Sequence, residues 1–296
     1  MTWEWKIGDP VDDATGGSMD AMNWGHGQDE DDSNDDEDFD SYSKVNEYSK
    51  RAWDCYMEFR EEEALYYINL ALDLNNMDAN NWNIKAIILE GMERFYESEK
   101  CYNRSLELSK RKIVYDNKAR MLYSWSNQLL EESKELPDGS DKLREAEKTI
   151  VKAMNCISDD SDEDIDKYLQ MKDRIEFYIG YENEFQGNLE TLKGYDRSEL
   201  FTITGRRFYK NNMPLTPGMP LKLVKEADNE FDGDAIAVYA KDEKIGYVAN
   251  NANTKYELTS SASEINDMIS DTARGEYLLF LDRYAKIQFH VARIVK

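Results

Sequence analysis

The sequence predicts an α+β multidomain protein, in which all-α helical repeats follow a disordered acidic tail and precede a small, mostly antiparallel β-barrel. Three observations support this prediction. Residues 1–44 are acidic and poor in apolar residues, residues 45–193 carry a pattern that recurs every 34 residues, and residues 198–296 contain short alternating runs. A chain of 296 residues is long enough for two folded domains beside the tail, because globular domains average about 150 residues.

The segment at 1–44 contains the acidic run at 29–38 and too little apolar surface to offset the entropy that folding costs. We expect a solubilising, disordered tail. A sharper hypothesis is that the tail mimics polyphosphate and occupies a basic site elsewhere on the chain. Residues 1–47 hold 15 acidic and 2 basic residues, whereas residues 198–296 hold 14 and 13. The net charge of −24 therefore does not exclude nucleic-acid binding by the nearly neutral last segment.

Composition argues against an enzyme and against a bound metal or cofactor. The chain has only two histidines, His26 and His290, and no phosphate-binding G-x-x-x-x-G-K-[ST] motif. Its three cysteines, Cys55, Cys101 and Cys156, lack metal-ligand spacing and are predicted to be reduced and buried. No apolar run is long enough to span a bilayer and no signal peptide is apparent, so we expect a cytoplasmic protein without membrane contact.

The helical segment repeats at an offset of 34 residues. Six positions recur with side chains of similar size: Tyr48, Ala52, Cys55, Ala64, Ile68 and Ala71 match Trp82, Ala86, Leu89, Ser98, Tyr102 and Ser105. The small residues let two antiparallel helices approach closely, and the large ones fill the space to the next pair. The pattern resembles the tetratricopeptide repeat, a helix-turn-helix unit of 34 residues, over residues 46–110.

A stretched third unit is expected after these two. Its helices would cover 113–130 and a region around Ala146, Ile150 and Ala153, with a turn at 136–139 between them. A further helix is expected at 162–181 and a short capping helix at about 182–192.

The resemblance to tetratricopeptide repeats implies a concave surface that binds a partner protein. Members that grip carboxy-terminal peptides use a lysine and asparagines, where this chain has Ser49, Trp53 and Ile84. A basic or apolar partner segment is therefore expected rather than an acidic one. The alternative is that the repeats only dock on the last domain.

Six strands are predicted in the last segment, with one helical insertion at 253–269. They cover 200–209, 221–225, 235–240, 244–249, 276–284 and 287–295. Such a set implies a mostly antiparallel sheet that closes into a barrel. The third and fourth strands form a β-hairpin around a charged turn, and the polar turn before them, which contains Phe231, indicates a surface that contacts a ligand.

Several groups of residues in this segment resemble the HIRAN domain over about 198–296. They are Phe201-x-Ile203-x-Gly205-x-Arg207-Phe208-Tyr209, Gly218-x-x-Leu221-x-Leu223, Asn229-x-Phe231-Asp232-x-x-Ala235-Ile236-x-Val238 and Ile245-Gly246-Tyr247-Val248. HIRAN domains occur in fork-remodelling DNA translocases, where they capture the 3′-hydroxyl end of single-stranded DNA. The resemblance therefore implies a DNA end as the ligand.

By resemblance, Arg207, Phe208 and Tyr209 lie on the base and phosphate side of the site, and Asn229, Phe231 and Asp232 lie on the end-reading side with Tyr247 nearby. Aromatic faces stack on unpaired bases, and arginine binds phosphate through two hydrogen bonds. Asp232 suits a terminal sugar hydroxyl, because a carboxylate repels phosphate. The structural alternatives are that Phe231 and Asp232 only stabilise the turn and that Tyr247 belongs to the barrel core.

Two positions depart from the HIRAN pattern. Glu230 stands where proline is usual, and Asn250 stands where DNA-binding members tend to carry a basic residue. Both changes lower the positive charge of the site, which predicts weaker or altered DNA binding.

We therefore expect a non-catalytic adaptor. Its HIRAN-like domain would bind single-stranded DNA or a 3′-hydroxyl DNA end, and its helical repeats would bind an unknown protein partner. The main alternative is a protein-protein interaction scaffold without nucleic-acid binding. A second alternative is a metal-dependent hydrolase that uses the carboxylates of Asp228, Asp232 and Asp234.

Overall fold

The computed structural model describes residues 35–158, 161, 163–209 and 213–295, with side chains from residue 42. Residues 1–34 of the predicted acidic tail, which include His26, lie outside the described residues. The first helix begins at Asp35, inside the segment that composition assigned to the tail. Its first turns are acidic, and negative charge stabilises the amino-terminal end of a helix through the macrodipole.

Seven α-helices precede the first strand in the described part of the chain. They are α1 (Asp35–Met57), α2 (Glu61–Leu74), α3 (Ala79–Gly91), α4 (Phe95–Leu108), α5 (Lys112–Ser133), α6 (Ser140–Met154) and α7 (Ile165–Lys193). The most extensive helix contacts are those of α1 with α2 and of α3 with α4. The predicted all-α segment ahead of the barrel is confirmed.

The 34-residue offset holds in the packing as well as in the sequence. The small residues at the matched positions are all fully buried: Ala52, Ala64 and Ala71 in one pair, and Ala86, Ser98 and Ser105 in the next. Phe59 and Glu93 also lie 34 residues apart, and both adopt a φ of 57° in the turns that close α1–α2 and α3–α4. The two helical pairs are therefore structural repeats, and their membership of the tetratricopeptide family stays a prediction.

The third helical pair consists of α5 and α6, and the predicted core residues Ala146, Ile150 and Ala153 are fully buried in it. The prediction of separate helices at 162–181 and 182–192 was wrong, because α7 runs without a break from Ile165 to Lys193. Glu182, at the predicted break, accepts hydrogen bonds from the side chains of Arg283 and Tyr284. These partners lie 101 and 102 residues away, so a local sequence pattern does not reveal them.

The chain forms two compact units. Of the described residues, the first unit comprises those up to Glu135 together with those of 141–176, and the second comprises Leu136–Ser140 and those from Phe177 onwards. The division falls inside α7, whereas the change of sequence pattern placed it near 194–198. The end of α7 therefore belongs to the same unit as the strands.

The second unit is built on six strands that form a closed, wholly antiparallel barrel. They are β1 (Leu200–Thr204), β2 (Pro220–Lys225), β3 (Ile236–Ala240), β4 (Glu243–Val248), β5 (Thr272–Arg283) and β6 (Ile287–Val295), in the order β1-β4-β3-β2-β5-β6. Phe201, Leu223, Ile236 and Val238 are buried in its core, together with residues of the short helix α8 (Ala262–Asn266). The predicted antiparallel barrel with one helical insertion is confirmed. Among the described helices, none combines the length and the apolarity that crossing a bilayer requires.

Two local features of the barrel shape its outer surface. The strand predicted at 200–209 ends at Thr204, because Gly205 adopts a left-handed φ of 76° and residues Arg206–Phe208 form a 3-10 turn. In the predicted hairpin, Lys241 and Asp242 have φ values of 48° and 64°, as a two-residue type I′ turn requires. The β3–β4 register shifts between Val238 and Tyr239, which places Lys244 opposite Tyr239.

Candidate functional site

The first predicted group lies on the 3-10 turn that follows β1. Arg207 and Phe208 are exposed, Phe208 by 74%, and the guanidinium of Arg207 lies 4.9 Å from the centre of the Phe208 ring. Arg206, next to them, is partly buried and donates hydrogen bonds to the Met213 carbonyl and to the His290 ring. Arg206 therefore anchors the turn, whereas Arg207 and Phe208 are available to a ligand.

His290 belongs to this anchor. Its Nε2 lies 3.0 Å from a guanidinium nitrogen of Arg206, and its Nδ1 lies 3.0 Å from the Tyr277 hydroxyl. Burial and the adjacent Arg206 cation lower the pKa of His290 to about 4. At neutral pH the ring is therefore uncharged, and it accepts the hydrogen bond that Arg206 donates.

The second predicted group forms the turn before β3. The Asn229 side-chain oxygen accepts hydrogen bonds from the backbone N–H groups of Phe231 at 3.0 Å and Asp232 at 3.3 Å. This side chain thus replaces a backbone turn and fixes the two residues that follow it. The Phe231 side chain is 96% exposed. A phenylalanine that is held on a defined turn and contributes nothing to the core presents its ring to solvent.

Tyr247 joins the two groups. The Tyr247 hydroxyl donates to Glu226 at 2.9 Å, accepts from Lys244 at 2.6 Å, and lies 3.4 Å from the Asn229 amide nitrogen. Burial raises the pKa of Tyr209, and the side-chain hydrogen bond between Tyr209 and Tyr247 acts in the same direction. Tyr247 is therefore part of an outward-facing polar cluster rather than of the barrel core.

Glu226 and Lys244 complete this cluster, and the sequence pattern indicated neither of them as a site residue. Lys244 donates to Glu226 at 2.7 Å. Burial acts to lower the pKa of Lys244, but its hydrogen bonds with Glu226 and Tyr247 outweigh burial and raise it. Strict alternation would place Lys244 and Tyr247 on opposite faces of β4, and the register shift in β3–β4 brings them to one face. The sequence carries no clear signal for this shift.

Asp232 lies in a second, adjacent network. One of its carboxylate oxygens accepts from the Asn250 amide at 2.9 Å, and the other accepts from the backbone N–H of Asp234 at 3.0 Å. The Asn250 oxygen in turn accepts from the backbone N–H of Ser263 at 3.0 Å, and the Ser263 hydroxyl donates to Asp234 at 2.6 Å. Asn250 therefore connects Asp232 to α8, a structural role that a basic side chain would not fill in the same way.

The seven predicted residues fall into one connected region. Hydrogen bonds lead from Tyr209 through Tyr247 and Asn229 to the backbone of Asp232. Arg207 and Phe208 precede Tyr209 directly, and Phe231 lies on the turn that Asn229 fixes. Two carboxylates of the hydrolase alternative, those of Asp232 and Asp234, accept the hydrogen bonds described above. Among the described residues, no group of three or more His, Cys, Asp and Glu side chains is placed to hold a metal ion.

Comparison with known proteins gives one finding for this unit. Residues 198–263 match the family model of the HIRAN domain, and this range contains all seven predicted site residues. No curated protein matches the chain. A HIRAN domain indicates nucleic-acid binding, in agreement with the exposed aromatic and cationic side chains of the site. The β-barrel of this chain therefore carries a HIRAN domain, matched over residues 198–263.

Proposed function

We propose that this chain is a non-catalytic adaptor whose HIRAN domain binds the 3′-hydroxyl end of single-stranded DNA and whose helical repeats bind a protein partner. One observation carries the DNA part of this proposal. Two exposed phenylalanines, Phe208 and Phe231, flank a single hydrogen-bonded cluster that includes Tyr209, Asn229 and Tyr247.

The exposed rings suit unpaired bases. Burying a phenylalanine side chain contributes about 1.5–3 kcal/mol to stability, and Phe231 gains none of this within the described structure. Stacking on a base contributes about 1–3 kcal/mol per base and tolerates any sequence. Arg207, beside Phe208, supplies a planar cation for a phosphate. The site therefore favours a strand with unstacked bases over a duplex.

Asp232 suits the end of the strand. Each of its carboxylate oxygens already accepts one hydrogen bond, and a carboxylate oxygen accepts two. The second acceptor position is available to a hydroxyl donor, whereas a phosphate at the same place would be repelled. Only a strand end presents a free sugar hydroxyl in DNA, so Asp232 supports end recognition.

Binding of matched oligonucleotides tests this proposal. We expect the full chain to bind single-stranded DNA with a 3′-hydroxyl more tightly than the same strand with a 3′-phosphate, measured by fluorescence polarisation at low salt. Equal binding of the two strands contradicts end capture. No binding of either favours a protein-interaction scaffold, and cleavage that depends on added divalent cations favours the hydrolase alternative.

The helical unit supports the protein-partner part of the proposal. A cleft of about 350 Å³ opens beside the stacked rings of Phe95 and Trp125, whose centres are 6.1 Å apart. Four glutamates, Glu93, Glu97, Glu132 and Glu145, and two cations, Arg94 and Lys142, line the same cleft. Charge complementarity favours a partner segment with an apolar side chain and basic flanks.

A peptide library tests the partner chemistry. We expect selection against the full chain to enrich basic peptides with an apolar anchor, and a Trp125→Ala variant to lose this enrichment. Enrichment of acidic peptides, or an unchanged profile in the variant, contradicts the assignment of this cleft.

A further inference from the structure

A row of outward-facing side chains crosses the barrel from the candidate site. Lys244 on β4 lies opposite Tyr239 on β3, Tyr239 lies opposite Lys222 on β2, and Lys222 lies opposite Arg274 on β5. Lys222 and Arg274 are exposed, and Tyr239 is half-buried. Lys244 is also the residue that bonds the Tyr247 hydroxyl, so the row begins at the candidate site.

Lys222 and Arg274 form a like-charged pair on neighbouring strands. Like charges directly opposite each other destabilise a sheet. Neither side chain has an ion pair or a hydrogen bond with any residue that the structure describes. Glu276, the carboxylate two residues from Arg274 on the same strand, is bonded to Arg293 at 2.8 Å. The fold therefore tolerates two adjacent cations on an open face without a carboxylate to neutralise them.

We infer that this row binds the phosphates of the strand whose 3′ end lies in the candidate site. Tyr239, between two cations, offers an aromatic face to a base, and the cations offer partners to the sugar-phosphate backbone. Three cross-strand steps of about 4.8 Å span about 14 Å, which exceeds the spacing of about 3.4 Å between successive phosphates of one duplex strand, so the row is long enough to contact more than one phosphate. The inference rests on the proposed function, because the row is read as the continuation of the end-binding site.

An anionic strand fits the row better than the other occupants. An apolar partner would bury two unpaired cations, which costs free energy. An acidic protein segment matches the charge of the row, but its carboxylates do not stack on the Tyr239 ring as a base does. Continuity with the end site also favours a ligand that already starts there.

Strand length and salt dependence test the row separately from the end site. The probes are a single-stranded trinucleotide and a twelve-nucleotide strand, both with a 3′-hydroxyl and a 5′ fluorophore. We expect Lys222→Gln and Arg274→Gln each to weaken binding of the long strand. Each should also reduce the salt slope, the steepness with which the logarithm of the binding constant falls with the logarithm of the salt concentration, by about 0.7. Binding of the trinucleotide is expected to stay within about twofold of the wild type, since it reaches only the end site. Lys286→Gln, at the opposite end of the β5–β6 hairpin, removes the same charge and is the matched control.

The outcomes distinguish this inference from the proposed function. In one outcome the trinucleotide binds with end specificity, and neither substitution changes binding of the long strand. This outcome contradicts phosphate binding by the row and leaves end capture intact. A lowered salt slope in the variants without discrimination between 3′-hydroxyl and 3′-phosphate supports the row and overturns end capture. Equal effects of Lys286→Gln and Arg274→Gln, or no binding of either probe by the wild type, overturn the row.

Discussion

Phe231 has the most exposed aromatic side chain of the candidate site, and the proposed base stacking depends on it most. Its side chain is 96% exposed, so replacement by alanine is expected to change the free energy of unfolding by less than about 0.5 kcal/mol. The same change removes a stacking face worth about 1–3 kcal/mol, which predicts a loss of DNA affinity of about 5- to 150-fold. Fluorescence polarisation measures the DNA affinity, and urea denaturation measures the free energy of unfolding.

Phe59→Ala is the matched control for this substitution. Phe59 is 79% exposed in the turn between α1 and α2, outside the HIRAN domain. We expect it to leave both DNA affinity and stability unchanged. A Phe231→Ala variant that binds DNA as tightly as the Phe59→Ala variant would show that the Phe231 ring does not contribute to DNA binding.

Asn250 is the second residue whose substitution tests the proposed DNA site, because it departs from the HIRAN pattern. Its amide donates to Asp232 and its oxygen accepts from the backbone N–H of Ser263. Asn250→Lys keeps a donor for Asp232 and leaves Ser263 without this acceptor, so we expect a loss of stability of about 1 kcal/mol. The added cation is expected to steepen the salt dependence of DNA binding by about 0.7 and to raise affinity at low salt. An unchanged salt slope would place Asn250 outside the nucleic-acid interface.

At the scale of elements, β4 depends on a glycine for its pairing with β1. A Cβ atom at Gly246 would lie 2.4 Å from the Thr204 carbonyl oxygen, far inside contact distance. Gly246→Ala is therefore expected to separate the two strands locally and to cost about 2–3 kcal/mol of stability, measured by denaturation. A Cβ at Gly233 meets nothing within 4 Å, so Gly233→Ala is the control and is expected to be nearly neutral. Equal stability of both variants would contradict the close approach of β1 and β4.

A buried ion pair joins α7 to β5. Glu182 is 1% exposed and Arg283 is 8% exposed, and their side chains meet at 3.0 Å. Burial acts to raise the pKa of Glu182, but hydrogen bonds from Tyr284, Arg283 and Gln186 outweigh it and lower the pKa. Glu182 therefore stabilises the fold above the pKa of an unfolded glutamate, and this contribution is lost as pH falls through the lower folded pKa.

Replacing Glu182 by glutamine leaves Arg283 buried without a counter-charge. We expect Glu182→Gln to cost about 3–5 kcal/mol at neutral pH. We also expect the variant to lose less further stability on acidification than the wild type, because the titrating group is absent. Glu190→Gln on the same helix breaks the exposed pair with Lys193 and is expected to cost less than about 1 kcal/mol. Circular dichroism measures the loss of stability of the three proteins as the pH is lowered. An equal loss in all three would contradict this role of Glu182.

The elements show which parts of this molecule a sequence determines locally. The 34-residue period predicted the first two helical pairs, because each period repeats the same packing of small and large residues. The alternating runs predicted the barrel strands, and the residue motifs predicted seven site residues that lie in one region. The continuity of α7, the early end of β1 and the position of Lys244 were missed, because each depends on a distant partner, a single left-handed glycine or a register shift.

At the scale of the whole molecule, charge is distributed unevenly along the chain. Residues 1–34 carry nine acidic residues and one basic residue, whereas the β-barrel presents Arg207, Lys222 and Arg274 on its surface. If the tail competes with DNA for these cations, its removal raises DNA affinity. Because α1 begins at Asp35 and buries Val45, the deletion that spares the fold ends at residue 34.

We expect the chain that lacks residues 1–34 to bind single-stranded DNA about tenfold more tightly than the full chain at low salt. The difference should vanish at high salt, since screening weakens the attraction of both competitors for the same cations. A full-length variant with asparagine and glutamine in place of the tail's aspartates and glutamates separates charge from bulk, and should bind like the truncated chain. Equal affinity of the full and truncated chains at low salt would mean that the tail does not occupy the DNA site and acts on solubility alone.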